Sequence, residues 1–347
     1  MDFSIKLVRW YQNNKRDLPW RNTADPYYIW LSEIILQQTR VVQGIPYYLS
    51  FVAAFPTIED LANANEDKVL KMWQGLGYYS RARNLHFTAK YIVDNYGGDF
   101  PEDYDKVLKL KGIGVYTAAA ITSFAFDMPY AVVDGNVTRV LSRVFGISIP
   151  FDTSVGKNHF QQLAQKLIIK EEAAIYNQAI MEFGAIKCKP KSPCCSSCPL
   201  QDFCVAYATN SVAELPVKSK KIKVKDRFLY YLLIEQEDNI FFGKRESGIW
   251  TGLYEFPFLE FMSKMSEKEI MQSDSWARIF SNSNYDVKSI SSEFIHVLSH
   301  QKIHAQFLCV RTYGIAMKDY ELISKNSLLE YPVSRLTEKY FQSIDLL

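Results

Sequence analysis

Apolar positions recur at three- and four-residue intervals from the start of the chain to about Tyr207, and the runs break at residues that cap helices. Asp25-Pro26 sets an N-cap before proline at the first helical position and predicts a helix through Thr39. The same spacing predicts helices over 58–73, 82–96, 104–109, 115–126, 136–145, 158–169 and 173–183, several of them separated by glycine-containing turns. No solenoid-length repeat or low-complexity tract interrupts them. Beyond Tyr207 the period shortens. Segments 228–236 and 240–244 flank Glu237-Asp238-Asn239 and read as a hairpin, 294–298 and 303–312 read as further strands, and Ser266-x-x-Glu269 is a capping box. Between the two textures lies the densest basic run: Lys218, Lys220, Lys221, Lys223 and Lys225. Ile222 and Val224 alternate with its last three lysines, as on an amphipathic strand. The expected organisation is an all-α domain over 1–207, a linker over 208–225 and an α+β domain over 226–347.

Composition narrows the class. The 347 residues suffice for two domains of ~150 residues each. An apolar share of 48% with 14% aromatic residues excludes disorder as the main state. No window approaches the ~18 uninterrupted apolar residues of a membrane helix. Lys6, Arg9, Lys15, Arg16 and Asp17 break up the N-terminus, which therefore lacks a secretory signal core. A soluble, intracellular protein is expected. The net charge of +2 is too balanced for a general electrostatic binder of nucleic acid, while local basic patches remain open.

The cysteines are more informative. Five of six crowd into one short stretch, and Cys188-x6-Cys195-x2-Cys198-x5-Cys204 offers four thiolates in a loop (188–204) that Pro190, Pro193 and Pro199 keep from becoming helical. Such a set suits a structural zinc or a [4Fe–4S] cluster, with Cys194 as an extra thiol beside the ligands. Leu110-Lys111-Gly112-Ile113-Gly114-Val115 joins two helices through a glycine turn. Either it is simply a tight turn, or Gly112 and Gly114 let the backbone approach a phosphate at the second helix's N-terminus. In Val133-Asp134-Gly135-Asn136-Val137, Asp134 stands at an N-cap, where amide donors favour its ionised form; capping alone would also explain it. Glu33 lies among Ile29, Trp30, Leu36 and Gln37 on its predicted helix. It is there either as a rim glutamate or as a desolvated carboxyl with a raised pKa, suited to a general acid. His296, His300 and His304 are spaced too widely along a strand to share one ion unless a turn folds two together. The lysine run suits a solvated edge strand, or a linker lying against DNA phosphates.

Taken in order, Leu31-Ser32-Glu33-Ile34-Ile35-Leu36-Gln37-Gln38-Thr39, Gly75-Leu76-Gly77-Tyr78-Tyr79-Ser80-Arg81, the glycine hairpin, the Val-Asp-Gly-Asn segment and the four-cysteine loop resemble the adenine DNA glycosylases, the MutY family of the helix-hairpin-helix superfamily. The resemblance is specific over 5–207. Beyond that, Gly243-Lys244-Arg245, the stretch 248–257 and Leu298-Ser299-His300 look like the family's C-terminal Nudix-like domain. It implies a multidomain protein, an all-α helix-hairpin-helix domain with an Fe–S loop followed by an α+β Nudix-like domain. It also implies Glu33 as the acid that protonates adenine and Asp134 as the carboxylate facing the sugar cation, supported by Asn136 and Tyr116. Arg16, Trp20 and Glu182 would line the adenine pocket. Gln38, Thr39, Leu76 and Tyr78 would contact 8-oxoguanine or wedge into the stack, with Gly112 and Gly114 on the DNA backbone and Ser299 reading the lesion. Cys188, Cys195, Cys198 and Cys204 would hold a [4Fe–4S] cluster. The implied partner is double-stranded DNA carrying A:8-oxoguanine or A:G mispairs, with no membrane, acted on by a monomer in the cytoplasm at the nucleoid.

Departures from the family pattern sharpen the expectation. Lys111 stands where the hairpin usually has proline, and Leu298 where the lesion loop usually has phenylalanine. Tyr116 occupies the position at which the related endonuclease III enzymes carry a nucleophilic lysine, so a monofunctional glycosylase is expected. No glutamate cluster follows Gly243, so Nudix-type hydrolysis is not expected. The rival readings are a bifunctional lyase, a non-enzymatic Fe–S DNA-binding protein and a ferredoxin-like carrier.

Overall fold

The computed structural model describes residues 2–219, 224–281, 283–344 and 346. Two compact units emerge: Met1–Asn63 with Asn84–Lys220, and Ala64–Arg83 with Lys221–Leu347.

The first unit is helical. Its elements are α1 (Asp2–Asn14), α2 (Pro26–Leu36), α3 (Val41–Ala54) and α4 (Ile58–Asn63); α5 (Glu66–Met72) belongs to the second unit, and α6 (Ser80–Tyr96) begins there and runs into the first. Then come α7 (Tyr104–Leu108), α8 (Val115–Phe126), α9 (Gly135–Phe145), α10 (Ser154–Leu167), α11 (Ala173–Glu182) and α12 (Val205–Ala208). Side-chain caps explain several of the helix starts. Asp25, Asp103, Asp134 and Thr153 each accept an amide from the first turn they open.

Several expectations change. Helix α2 stops at Leu36 rather than Thr39, because Gln37 leaves helical ψ and Gln38 takes a left-handed φ of 57°. The helix predicted over 58–73 divides at 64–65, where Asn65 caps a new start. Three helices of this unit went unpredicted, α1, α3 and the short α12. Helix α1 buries Phe3, Leu7, Val8 and Tyr11 against Val137, Val140 and Phe160 in the main core, and α3 carries Gly44 and Pro46 inside its span.

The second unit is built on a mixed sheet. Its strands are β1 (Lys225–Gln236), β2 (Asn239–Lys244), β3 (Tyr254–Glu255), β4 (Phe258–Phe261), β5 (Tyr285–Ile290), β6 (Phe294–Val297), β7 (Gln301–Thr312) and β8 (Glu321–Ser324). The path runs β3-β2-β1-β7-β5, with β4 beside β1, β6 beside β7 and β8 beside β2. Strands β1 and β7 pair in parallel, Leu232 opposite Leu308. Helices α13 (Glu267–Met271), with its Ser266–Glu269 capping box, and α14 (Asp274–Phe280) cover one face, and α15 (Arg335–Ser343) covers the other. Alternate residues of β1 therefore enter two cores: Leu229, Tyr231 and Leu233 meet Leu336 and Phe341, while Tyr230, Leu232 and Ile234 meet Trp276 and Phe280. Burial on both faces is why this strand reads as a continuous apolar run.

Of the basic run, residues 220–223 lie outside the described residues, and with them most of the strand pattern expected over 222–224; β1 starts at Lys225. Among the described residues no helix is long and apolar enough to cross a membrane.

Candidate active site

A cavity of about 360 Å³ opens in the first unit, lined by Glu33, Tyr116, Asp134, Asn136, Arg16, Trp20, Glu182, Gln38 and Thr39 among others. Helix α2 brings Glu33 to it from a run that is buried on almost every side, Ile29 to Ile35 included. Desolvation drives the Glu33 pKa from its ordinary 4.5 to about 7; the Tyr116 hydroxyl bonded to it and the charge of Arg21 pull down less, and Asp134 adds to the rise. The Tyr116 phenol is itself held well above its ordinary pKa by burial and by the two carboxyls.

Asp134 opens α9. One carboxylate oxygen accepts the Val137 amide at 2.7 Å, and the other accepts Asn136 Nδ2 at 2.7 Å. Helix amides were expected to keep this group readily ionised. Its pKa is instead raised, because burial outweighs those bonds and the attraction of Arg139. Asn136 is held in turn by Arg139, whose Nη2 donates to Asn136 Oδ1 at 2.8 Å and to the Gly184 carbonyl at 2.7 Å, while its Nε donates to the Cys188 carbonyl at 2.9 Å. The chain past α11 winds a π-helical turn, Phe183–Lys187, that presses Gly184 onto α9. A Cβ on Gly184 would lie 2.6 Å from Asn136 Cβ and 2.8 Å from its carbonyl oxygen.

Glu182 has no exposed side-chain surface. Arg16 grips it with two bonds of 2.8 and 2.6 Å plus its own backbone amide, and Arg21 adds a third cationic donor at 2.8 Å. Burial alone would raise this carboxyl most, yet the two guanidiniums together hold it at about 2. Trp20 meets Tyr48 edge-on at 5.3 Å. Arg21, Arg139 and Gln178 went unnoticed in the sequence; Arg21 pairs with a residue 161 positions away, and nothing local announces that.

The remaining expected residues lie elsewhere. Gly112 adopts φ 81°, and a Cβ there would come within 2.7 Å of Asn84 Cβ; Gly114 caps α8 over open space. Lys111, in place of proline, rests its ammonium 4.2 Å from the Phe87 ring centre. Leu76, Tyr78 and Ser299 belong to the second unit. Leu76 is buried, Tyr78 is 53% exposed and Ser299 is exposed at the β6–β7 turn, its hydroxyl 3.2 Å from His300 Nδ1. The histidines part company: His304 sits between Glu293 and Asp226, and His296 meets the Trp250 ring.

Cys188, Cys195, Cys198 and Cys204 line one apolar cavity together with Cys194 and Arg143. Arg143 donates to Cys188 Sγ at 3.5 Å and to the carbonyls of Lys189 and Pro190. Burial pushes Cys198 up to about 11 and raises Cys195 and Cys204, so thiolates here need a cationic group to stabilise them. Among the described residues no three ligand side chains converge as a set for one metal ion, whereas four thiols around a shared cavity fit a larger sulfur-ligated group. Cys194 is exposed and faces Ser197.

Comparison with known proteins places these features in company. Residues 31–170 match the HhH-GPD superfamily of base excision DNA repair proteins, and 229–343 match the NUDIX domain. The adenine DNA glycosylase of Buchnera aphidicola subsp. Baizongia pistaciae is 37% identical over 312 residues, 87% of this chain and 84% of that protein. The adenine DNA glycosylase of Mus musculus is 44% identical over 214 residues, 59% of this chain and 42% of that protein. A thermostable thymine-DNA glycosylase superposes with a TM-score of 0.56 at 31% identity, covering 60% of this chain and 95% of that one. Endonuclease III in a non-covalent DNA complex gives 0.52 at 25% identity, covering 60% of this chain and 94% of that one.

Two predictions follow from the packing and charge of the cavity. Because the folded chain retains a Glu33 proton that the unfolded chain releases above pH 4.5, stability from this group is present below 4.5 and lost as pH rises through about 7. Glu33→Gln should therefore be more stable than the native chain at pH 8, by up to about 3 kcal/mol, with the advantage gone at pH 4. Urea unfolding at the two pH values measures it, and a pH-independent difference would contradict the desolvation account. Gly184→Ala should cost roughly 1–3 kcal/mol by driving the π-turn off Asn136, read as a lowered urea midpoint.

Proposed function

The chain belongs to the adenine DNA glycosylases of the HhH-GPD base excision repair superfamily, and from that premise we propose that its substrate is adenine opposite 8-oxoguanine or guanine in duplex DNA, released by hydrolysis without strand cleavage. It is a DNA N-glycosylase. The observation that carries the finer reading is a carboxyl whose pKa of about 7 keeps it substantially protonated near neutrality, in the same cavity as a second carboxylate fixed by helix amides.

Adenine leaves poorly as an anion. Glu33, protonated by desolvation, donates to N7 of the flipped base, and the Tyr116 hydroxyl bonded to it orients that proton. As the glycosidic bond breaks toward an oxocarbenium-like sugar, Asp134 supplies the negative charge, its oxygens aimed by Val137 and Asn136. Glu33 as the acid and Asp134 as the carboxylate toward the sugar, its ionised form favoured against burial by Val137, Asn136 and Arg139, follow the usual division of labour at a glycosidic bond. Glu182 is saturated by Arg16 and Arg21, so it positions guanidinium donors at the adenine pocket and exchanges no proton there. Flipping the nucleotide costs a few kcal/mol, offset by phosphate contacts at the Gly112–Gly114 hairpin and by Tyr78 as the wedge. Gln38 and Thr39 of the first unit, and Ser299 of the second, are each assigned to the orphaned base by the family resemblance.

Monofunctional chemistry is supported by the wall of the cavity. Among its described lining residues there is no lysine, and Tyr116 has no amine with which to form an imine. Cys188, Cys195, Cys198 and Cys204 would hold a [4Fe–4S] cluster, which when bound orders their loop as a DNA-facing element. The protein acts as a monomer in the cytoplasm.

Three measurements test the reading. Single-turnover adenine release should fall as pH rises above about 7, and Glu33→Gln should bind DNA while losing ~10²–10⁴ in rate; release within tenfold of native would remove Glu33 as the acid. Tyr116→Lys places an amine beside two carboxyls, and borohydride should trap a covalent DNA adduct with this variant and little with the native enzyme. Equal trapping by the native enzyme would return the bifunctional reading. Release should be faster from A:8-oxoguanine than from A:G at one salt concentration. Ser299→Ala should narrow that preference by roughly ten- to a hundredfold, the worth of ~1–3 kcal/mol of hydrogen-bond readout, and an unchanged ratio would remove Ser299 from lesion reading.

A further inference from the structure

The segment Ala64–Arg83, embedded in sequence among the helices of the first unit, packs as part of the second. It contains the proposed wedge. The turn over 75–78 is costly to form: Gly75 has φ 97°, Gly77 has φ 71° and Tyr78, with a side chain, has φ 47°. Such a turn persists only where its surroundings hold it. Within the segment, Trp73 Nε1 donates to the Gly77 carbonyl at 3.0 Å, and Arg81 Nη2 donates to the carbonyls of Leu76 and Gly77 at 3.3 and 3.1 Å. The Arg81 guanidinium also lies 5.0 Å from the Trp73 ring and 5.7 Å from the Tyr78 ring.

The outer grip comes from residues more than 250 positions away. The Tyr79 hydroxyl accepts the Gly75 amide at 3.4 Å and donates to the Val333 carbonyl at 3.2 Å, while the Val333 amide donates to Gln74 Oε1 at 3.3 Å. Both backbone polar groups of Val333, its N–H and its C=O, are thus clasped by residues that bracket the turn. Val333 is itself fixed, since it bridges to Tyr254 and is buried in the core under α15. Lys71 Nζ reaches the Tyr331 carbonyl at 3.1 Å, and Asp67 takes Lys244 and the Tyr254 hydroxyl at 2.6 and 3.1 Å.

We propose that the Nudix-like unit, through the clasp of Tyr79 and Gln74 on Val333, positions the Tyr78 wedge and so promotes extrusion of adenine, a second role beside lesion reading. This rests on the reading of Tyr78 as the wedge. Tyr79 and Gln74 are positioning residues: they act on DNA through the turn.

The test uses the full-length chain as native protein and as Tyr78→Ser, Tyr79→Phe, Gln74→Leu and the double variant Tyr78→Ser/Tyr79→Phe. Extrusion is followed by 2-aminopurine fluorescence beside the target adenine, and release is measured in single turnover from adenine opposite 8-oxoguanine and from adenine opposite an abasic site, where the base is already loosely stacked. Loss of one hydrogen bond at the clasp should slow extrusion and release on the 8-oxoguanine duplex by about three- to tenfold, with less than a twofold effect opposite the abasic site. Tyr79→Phe should add nothing once Tyr78 is serine. Equal losses on both substrates, or independent losses in the double variant, would overturn the proposal in favour of general damage. If Tyr78→Ser slows extrusion while neither clasp variant does, the wedge stands and the clasp falls. If Tyr78→Ser has no effect, both fall. Gln74→Leu keeps the test open should Tyr79→Phe fail to fold.

Discussion

The close approach of Gly184 to Asn136 governs the geometry of the catalytic unit. Only a residue without a Cβ lets the π-turn after α11 press onto the first turn of α9. That contact puts the Gly184 carbonyl where Arg139 can reach it together with Asn136 and the Cys188 carbonyl. Asn136 then aims Asp134, and the cysteine loop starts from the same turn. Asp134 and the four-cysteine loop thus hang from one piece of backbone. Buried polar groups joined in this way are held more tightly than any single bond would hold them.

Within the cavity, three carboxyls of similar intrinsic acidity are driven apart by their surroundings. Glu33 has mainly apolar neighbours and one phenol, and keeps its proton. Glu182 is as thoroughly buried but meets two guanidiniums, and stays ionised far below neutrality. Asp134 is raised by burial and restrained by the amides of a helix start. Burial alone would push all three the same way; it is the donors each one meets that set them apart.

The second unit meets a different constraint. A sheet covered on both faces must be apolar on both sides of its central strands, which leaves its edges and turns to carry function. Ser299 sits on such a turn, and the strap through Val333 serves the 64–83 segment instead. Residues 229–343 match a NUDIX domain, while the sequence after Gly243 carries no glutamate cluster of the hydrolase pattern, so fold and site separate here.

Much of this was legible in the linear chain. Caps at Asp25 and Asp134, the period change after Tyr207 and the capping box at Ser266 are all local signals, set by hydrogen bonds within one turn or by side-chain periodicity, and the structure follows them. The apolar company of Glu33 along one helix offered a raised pKa as one of two readings, and its burial in the folded chain decides for it. What needed the tertiary structure was every property that depends on residues far apart in sequence. The saturation of Glu182 by Arg16 and Arg21, the net rise of Asp134 against its own helix amides, and the contact of Gly184 with Asn136 each join distant segments. The reassignment of 64–83 is the clearest case. Its helical period is the same as its neighbours', and only the partners it finds around Val333, Tyr331 and Lys244 decide to which unit it belongs. Periodicity reports which face of an element is buried, and long-range pairing alone determines against what.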